Sequence, residues 1–196
     1  MSELHSIPAT RREGTGTGPA RAVRRTGNVP GIVYGGGAEP MQISVEDREL
    51  DRAYRQRGFF AKLYELNVEG EKQRVLPRAV QLHPVSDRPV HVDFQRVAAD
   101  STVHVWVPVR FINHDQSPGL KRGATLNIVR HEVELICPPD SIPEQLTVDL
   151  SGLNINASVH ISHIGVPEGV QTAIRGRDFT IATIAGAGGS EEKKAG

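Results

Sequence analysis

Residues 90–97 read VHVDFQRV, and their alternation sets an imidazole and a carboxylate side by side. Successive side chains of a strand point to opposite faces, so Val90, Val92 and Phe94 share one face and His91, Asp93 and Gln95 the other. Three kinds of chemistry could use that pair. A metal would take His91 and Asp93, with His83 near in sequence, but the set is short of ligands. A catalytic dyad would need a Ser or Cys nucleophile with a motif around it, and none is present. A hydrogen-bonding face needs nothing more: imidazole donates, accepts or stacks, and carboxylate accepts from amino groups. Those are the partners that base edges and 2′-hydroxyls offer in an RNA minor groove. The plainest alternative is a surface His–Asp pair that merely joins neighbouring strands.

A second group is basic. The first 34 residues carry Arg11, Arg12, Arg21, Arg24 and Arg25 against only Glu3 and Glu13. Arginine's planar fork suits phosphates and base edges, although a solvated, flexible arm is the simpler reading of a small charge excess. Arg21, Arg24 and Arg25 come at helical spacing, so a helical turn would gather three guanidiniums on one side. Glycines surround them, in GTGTG (14–18) and GNVPGIVYGGG (27–37). Neither stretch is a nucleotide loop: no apolar strand precedes GTGTG, and no GK[ST] follows GGG. The glycines serve sharp turns or close passage of the backbone.

These groups need elements to hold them. Short Val-, Ile- and Thr-rich runs separated by Gly, Pro, Asp and Asn predict a mainly β chain. LYELNV (63–68) and QRVL (73–76) flank a hairpin turn. Ser44 to Asp47 reads as a capping box opening a helix through Leu50, Ala53 and Tyr54, with Gly58 as the stop. Near residue 98 the arginines thin out and strands such as VHVWVPVRF and HEVELIC take over. Trp106, on the strand face of His104, is expected in the core. The division expected is 1–97, a second β-rich domain over 98–185, and a disordered charged tail over 186–196.

Composition excludes more than it assigns. Lys+Arg and Asp+Glu are equal at 23 each, so no global charge favours a polyanion. The imbalance is local, +3 over residues 1–97 and −3 over 98–196. Cys137 is the only cysteine, which leaves no disulfide framework or thiolate cluster, and VELICPPD predicts a buried small hydrophobe. No run approaches the roughly 18 apolar residues of a membrane span. The first residues lack the apolar core of a signal peptide, so a cytoplasmic chain is expected.

The arginine run with GNVPGIVYG, followed by LHPVSDRPVHVDF, resembles the 5S-rRNA-binding large-subunit ribosomal proteins numbered twenty-five in bacteria, also called the general stress protein Ctc family. The resemblance covers about the first 97 residues, and the remainder looks like the extra C-terminal domain of that family's long form. It implies a small N-terminal β-barrel with a few helices, related to the anticodon-binding region of glutaminyl-tRNA synthetase. It also implies contact with the loop E region of 5S rRNA through the wide minor groove. Carried over by motif, the RNA-binding positions are Arg11 or Arg12, Arg21, Arg24, Tyr34, His91 and Asp93. Arg78 stands where the family has a polar contact residue, often glutamine. Thr17 replaces the usual lysine between the early glycines, and Ala22 replaces one arginine, so fewer phosphate contacts are implied there.

The expectation is a ribosome-associated, non-catalytic protein whose partners are 5S rRNA and the large subunit. No cofactor, metal, membrane or small-molecule substrate is expected. Its N-terminal arm orders on binding. An RNA-binding or stress-related protein off the ribosome, and a metal-dependent hydrolase using His83, His91 and Asp93, stand as alternatives.

Overall fold

Alternating apolar runs of four to eight residues are too short for helices and bury one face by pairing as strands. The computed structural model describes residues 5–98, 101–167, 169–174 and 176–186. β1 (His5–Arg11), β2 (Asn28–Tyr34), β3 (Met41–Glu46), β4 (Tyr64–Val68), β5 (Glu71–Leu82) and β6 (Pro89–Arg96) close into a barrel in the order β1-β3-β2-β6-β5-β4. β1 and β4 pair in parallel, as do β2 and β6, and the rest are antiparallel. Closure leaves no edge strand to template aggregation. Ile7, Val33, Ile43, Leu66, Val75, Val92 and Phe94 fill the interior, with Leu50 and Phe59 packed on.

α1 (Thr17–Arg25) follows β1, and α2 (Asp47–Tyr54) follows β3. The arginine segment expected as an arm ordered only on binding is therefore a helix here. None of its residues is buried and no side chain caps its start. The capping-box expectation also needs correction. Ser44 belongs to β3, its partner across β2 is Pro30, and the residue before α2 is Glu46, which makes no side-chain cap. Two acids in the first turn, Asp47 and Glu49, face the positive end of the helix dipole instead. α2 ends at Tyr54, and Gly58, in the left-handed region, opens a short 3₁₀ turn at Phe59–Ala61 rather than stopping the helix.

β7 (Val103–Ile112), β9 (Glu132–Cys137), β10 (Leu146–Asp149) and β12 (Gln171–Thr172) form a second sheet in the order β10-β7-β9-β12. β8 (Thr125–Ile128), β11 (Ser158–His160) and β13 (Thr180–Ala185) form a third, in the order β11-β13-β8. A single helical turn, α3 (Pro118–Lys121), lies between β7 and β8, with Ser117 capping it by accepting from Leu120 N. The fold is thus mainly β: a six-stranded barrel followed by a second β-rich region. Their apolar clusters interlock, since Ala61 and Leu76 from the barrel half pack with Val105, Val107 and Leu135. Trp106 departs from expectation. Val103, Val105 and Val107 point inward, so His104 and Trp106 face out, and Trp106 is 48% exposed. Cys137 is buried as expected. Apart from Gly186, the expected tail lies outside the described residues.

Candidate nucleic-acid interface

β6 presents its alternation as the sequence predicts. Val92 and Phe94 point into the barrel, while His91, Asp93 and Gln95 lie partly buried on its outside. His91 Nδ1 and Asp93 Oδ1 are 2.8 Å apart. By distance the two are in contact, yet by direction they are not hydrogen-bonded, and both atoms are buried without a hydrogen-bond partner. Direction governs here, because hydrogen bonds weaken steeply away from linearity. An imidazole nitrogen and a carboxylate oxygen are therefore held in contact without a hydrogen bond between them.

The barrel register extends this face across five strands. Ile32 on β2 is opposite Asp93 on one side and Gln42 of β3 on the other, and Ala79 of β5 flanks Asp93. Arg12 N donates to Gln42 O at 3.1 Å, continuing the row beyond the end of β1. The row is Arg12, Gln42, Ile32, Asp93 and Ala79, about 19 Å around the wall at ~4.8 Å per strand. Arg12 Nε and Gln42 Oε1 are buried and unpartnered too. Four buried polar atoms that make no hydrogen bond thus fall on one outer face, two of them the His91–Asp93 contact.

Register also separates the two early arginines. Arg11 is opposite Ile43, whose side chain fills the barrel, so Arg11 has inward parity, yet it is exposed at the strand's end. Arg12 has outward parity and joins the row. Its Nη1 donates to Gly14 O at 3.2 Å, which turns the chain toward α1.

Of the helix arginines, Arg24 donates from Nε to Val90 O at 3.0 Å, docking α1 beside His91. Arg21 is exposed on the same helix. Tyr34 ends β2, 36% exposed, opposite Gln95. The glycines of GNVPGIVYGGG have two jobs. Gly31 lies inside β2, where an added Cβ would sit 2.8 Å from Val92 O, so the parallel approach of β6 needs a glycine. Gly35, Gly36 and Gly37 take positive φ and turn the chain after Tyr34. Arg96 fastens that turn, donating from Nη1 to Gly35 O at 3.2 Å and Glu39 O at 3.1 Å.

Arg78 sits at a bulge, since Pro77 pairs with Phe94 and Ala79 with Asp93. Its Nε donates to Gln95 Oε1 at 2.6 Å, and its Nη1 donates to the backbone oxygen of His104 in β7. This arginine links β6 to the second β-rich region.

The structure thus brings Arg12, Tyr34, His91 and Asp93 onto one outer face, with Arg24 at one end and Arg78 at the other. Arg11 and Arg21 lie outside the row. Sequence reasoning missed Gln42, although the alternation in MQISVE marks it as outward once Ile43 and Val45 point inward. Reading Ser44 as a helix cap hid that signal. Among the described residues, no three His, Cys, Asp or Glu converge to hold a metal. Burial raises the Cys137 thiol above its ordinary range, which disfavours the nucleophilic thiolate.

Comparison with known proteins adds independent findings. The model of the Ribosomal L25p family matches residues 7–94, and that of the Ribosomal protein TL5, C-terminal domain, matches residues 102–187. The large ribosomal subunit protein bL25 of Novosphingobium aromaticivorans is 50% identical over 184 residues, covering 94% of this chain and 90% of that protein. The bL25 protein of Rhodospirillum rubrum is 47% identical over 199 residues, covering 100% of this chain and 95% of its own. That of Brucella abortus is 49% identical over 198 residues, with 100% and 96% covered.

Proposed function

This chain belongs to the ribosomal L25p family, and from that premise we propose that it is a structural, non-catalytic constituent of the large ribosomal subunit whose barrel binds 5S rRNA. The observation that carries the RNA contact is the outer row of the barrel. Arg12, Gln42, His91 and Asp93 hold four buried polar atoms that make no hydrogen bond, and all four side chains fall on one surface. A ligand offering both donors and acceptors would meet the exposed parts of these side chains, 25% of His91 and 31% of Asp93. An RNA minor groove does so with base edges and 2′-hydroxyls, while its phosphates meet Arg12, Arg21 and Arg24.

Within this reading, residues 1–97 bind the loop E region, and 98–185 make further contacts inside the particle. Arg78, Tyr34 and Arg11 flank the contact. Filter binding of the full chain to 5S rRNA, with another structured RNA of similar length as competitor, tests the specificity. Co-sedimentation with large subunits at moderate salt separates this reading from an RNA-binding role off the ribosome. A chain that bound no 5S rRNA and left the subunits at moderate salt would contradict it.

A further inference from the structure

A cleft opens at the end of the barrel between the carboxyl end of α1 and the loop joining β5 to β6. Arg24, Asn28, Asp47, His83, Ser86 and Arg88 supply its polar lining. We infer that this cleft seats one backbone phosphate of the bound RNA, held by Arg24, His83 and Arg88, an assignment that rests on the RNA-binding reading above.

The loop is built to aim its donors. His83 N donates to Arg88 O at 2.8 Å and Asp87 N donates to His83 O at 2.9 Å, which pinches the loop shut at its base. His83 Nδ1 accepts from Val85 N and Ser86 N, each at 3.3 Å. A ring nitrogen that accepts leaves the other nitrogen, Nε2, as the donor His83 can offer. Arg24 spends only Nε on Val90 O, leaving both terminal nitrogens of its fork. Arg88 Nη1 is 4.0 Å from Asp47 Oδ2, too far for a hydrogen bond, so its donors are also available.

Charge matches the ligand class. Two guanidiniums and one carboxylate leave the cleft at +1, the complement of a single phosphodiester. The negative end of the α1 dipole opposes an anion there, and Arg24 and Arg25 in its last turn offset it. Position matters as well. The cleft includes Pro89 and Val90, and His91 is the next residue along β6. A phosphate seated there would bring the adjoining nucleotide to the reading face.

The test is filter binding of the full chain to 5S rRNA over a series of KCl concentrations. Arg88→Ala is expected to lower affinity about 3- to 10-fold and to flatten the slope of log K against log salt by about one phosphate's share, ~0.7–0.9. Arg88→Lys keeps the charge and restores the slope. His83→Ala removes a hydrogen-bond donor, so it weakens binding at every salt. Wild-type affinity and slope in both Arg88→Ala and His83→Ala, with His91→Ala still impaired, would overturn the phosphate seat and leave the RNA-binding reading intact. Failure of the wild-type chain to bind 5S rRNA would overturn both.

Discussion

His91 and Asp93 stand two residues apart on the outer face of β6, with Nδ1 and Oδ1 2.8 Å apart and neither atom hydrogen-bonded. A surface pair that merely joined strands would spend those atoms on its neighbours. This pair turns one nitrogen and one oxygen toward each other and leaves the rest of each side chain, 25% exposed in His91 and 31% in Asp93, facing outward.

Replacing either residue should therefore separate binding from stability. His91→Ala and Asp93→Ala are each expected to weaken 5S rRNA binding by about 1–3 kcal/mol, roughly 5- to 150-fold. The melting temperature should change little, because both side chains lie on the outer face of the barrel and neither atom of the pair is hydrogen-bonded. Filter binding alongside thermal melts checks both halves of this expectation.

The two early arginines should not behave alike. Arg12 shares the outer row with Gln42 and Asp93, whereas Arg11 has inward parity opposite Ile43. Arg12→Ala is expected to cost several times more RNA affinity than Arg11→Ala. Equal losses in parallel titrations would show that register does not select between them.

Gly31→Ala tests the barrel itself. A Cβ there would meet Val92 O at 2.8 Å and Val92 Cγ1 at 2.9 Å, and a backbone oxygen cannot swing aside. The expected loss is about 1–3 kcal/mol, measured by urea unfolding. RNA binding should fall with it, because the crowding displaces β6, which carries His91 and Asp93.

Tyr64 makes stability depend on alkaline pH. Burial pushes its hydroxyl up to about 12 from an ordinary 10.0, and the buried oxygen has no partner. Above about pH 10 the unfolded chain gives up this proton while the folded chain keeps it. Its contribution is thus steady below about pH 10 and is lost as pH climbs toward about 12. Tyr64→Phe should flatten that part of the alkaline decline. At neutral pH it should leave stability unchanged or raise it by up to about 1 kcal/mol. Melting curves of both proteins from pH 8 to 12 decide the point.

Leu76 joins the two halves. It lies on β5 yet is wholly buried among the residues of the second region. Leu76→Ala is expected to destabilise the chain by about 2–5 kcal/mol. Amide exchange should quicken in β7 and β9 as well as in β5. Exchange confined to the barrel strands would show that the halves do not share a core.

Local patterning made much of this legible beforehand. VHVDFQRV displays its own alternation, so the outward placement of His91 and Asp93 needed no tertiary knowledge. The hairpin turn at Glu69–Gly70 and the burial of Cys137 were legible in the same way. Ser44 was not: a capping box and the end of a strand share the same residue types, and only pairing with β2 decides between them. Trp106 misled because a large aromatic suggests a core, while the neighbouring valines had already taken the inward positions.

By itself, the sequence determined which side chains share a strand face, where glycine must turn the chain, and which residue types could meet RNA. Those are properties of neighbours a few residues apart, governed by backbone geometry. Only the tertiary structure decided that Arg12, Gln42 and Asp93, up to 81 positions apart, fall in one row. It also decided that Arg24 docks at Val90 and that Arg78 bridges to β7. Closure of the barrel sets strand register through pairings between distant segments, and one residue of slip would turn every side chain to the opposite face. No local pattern carries that information.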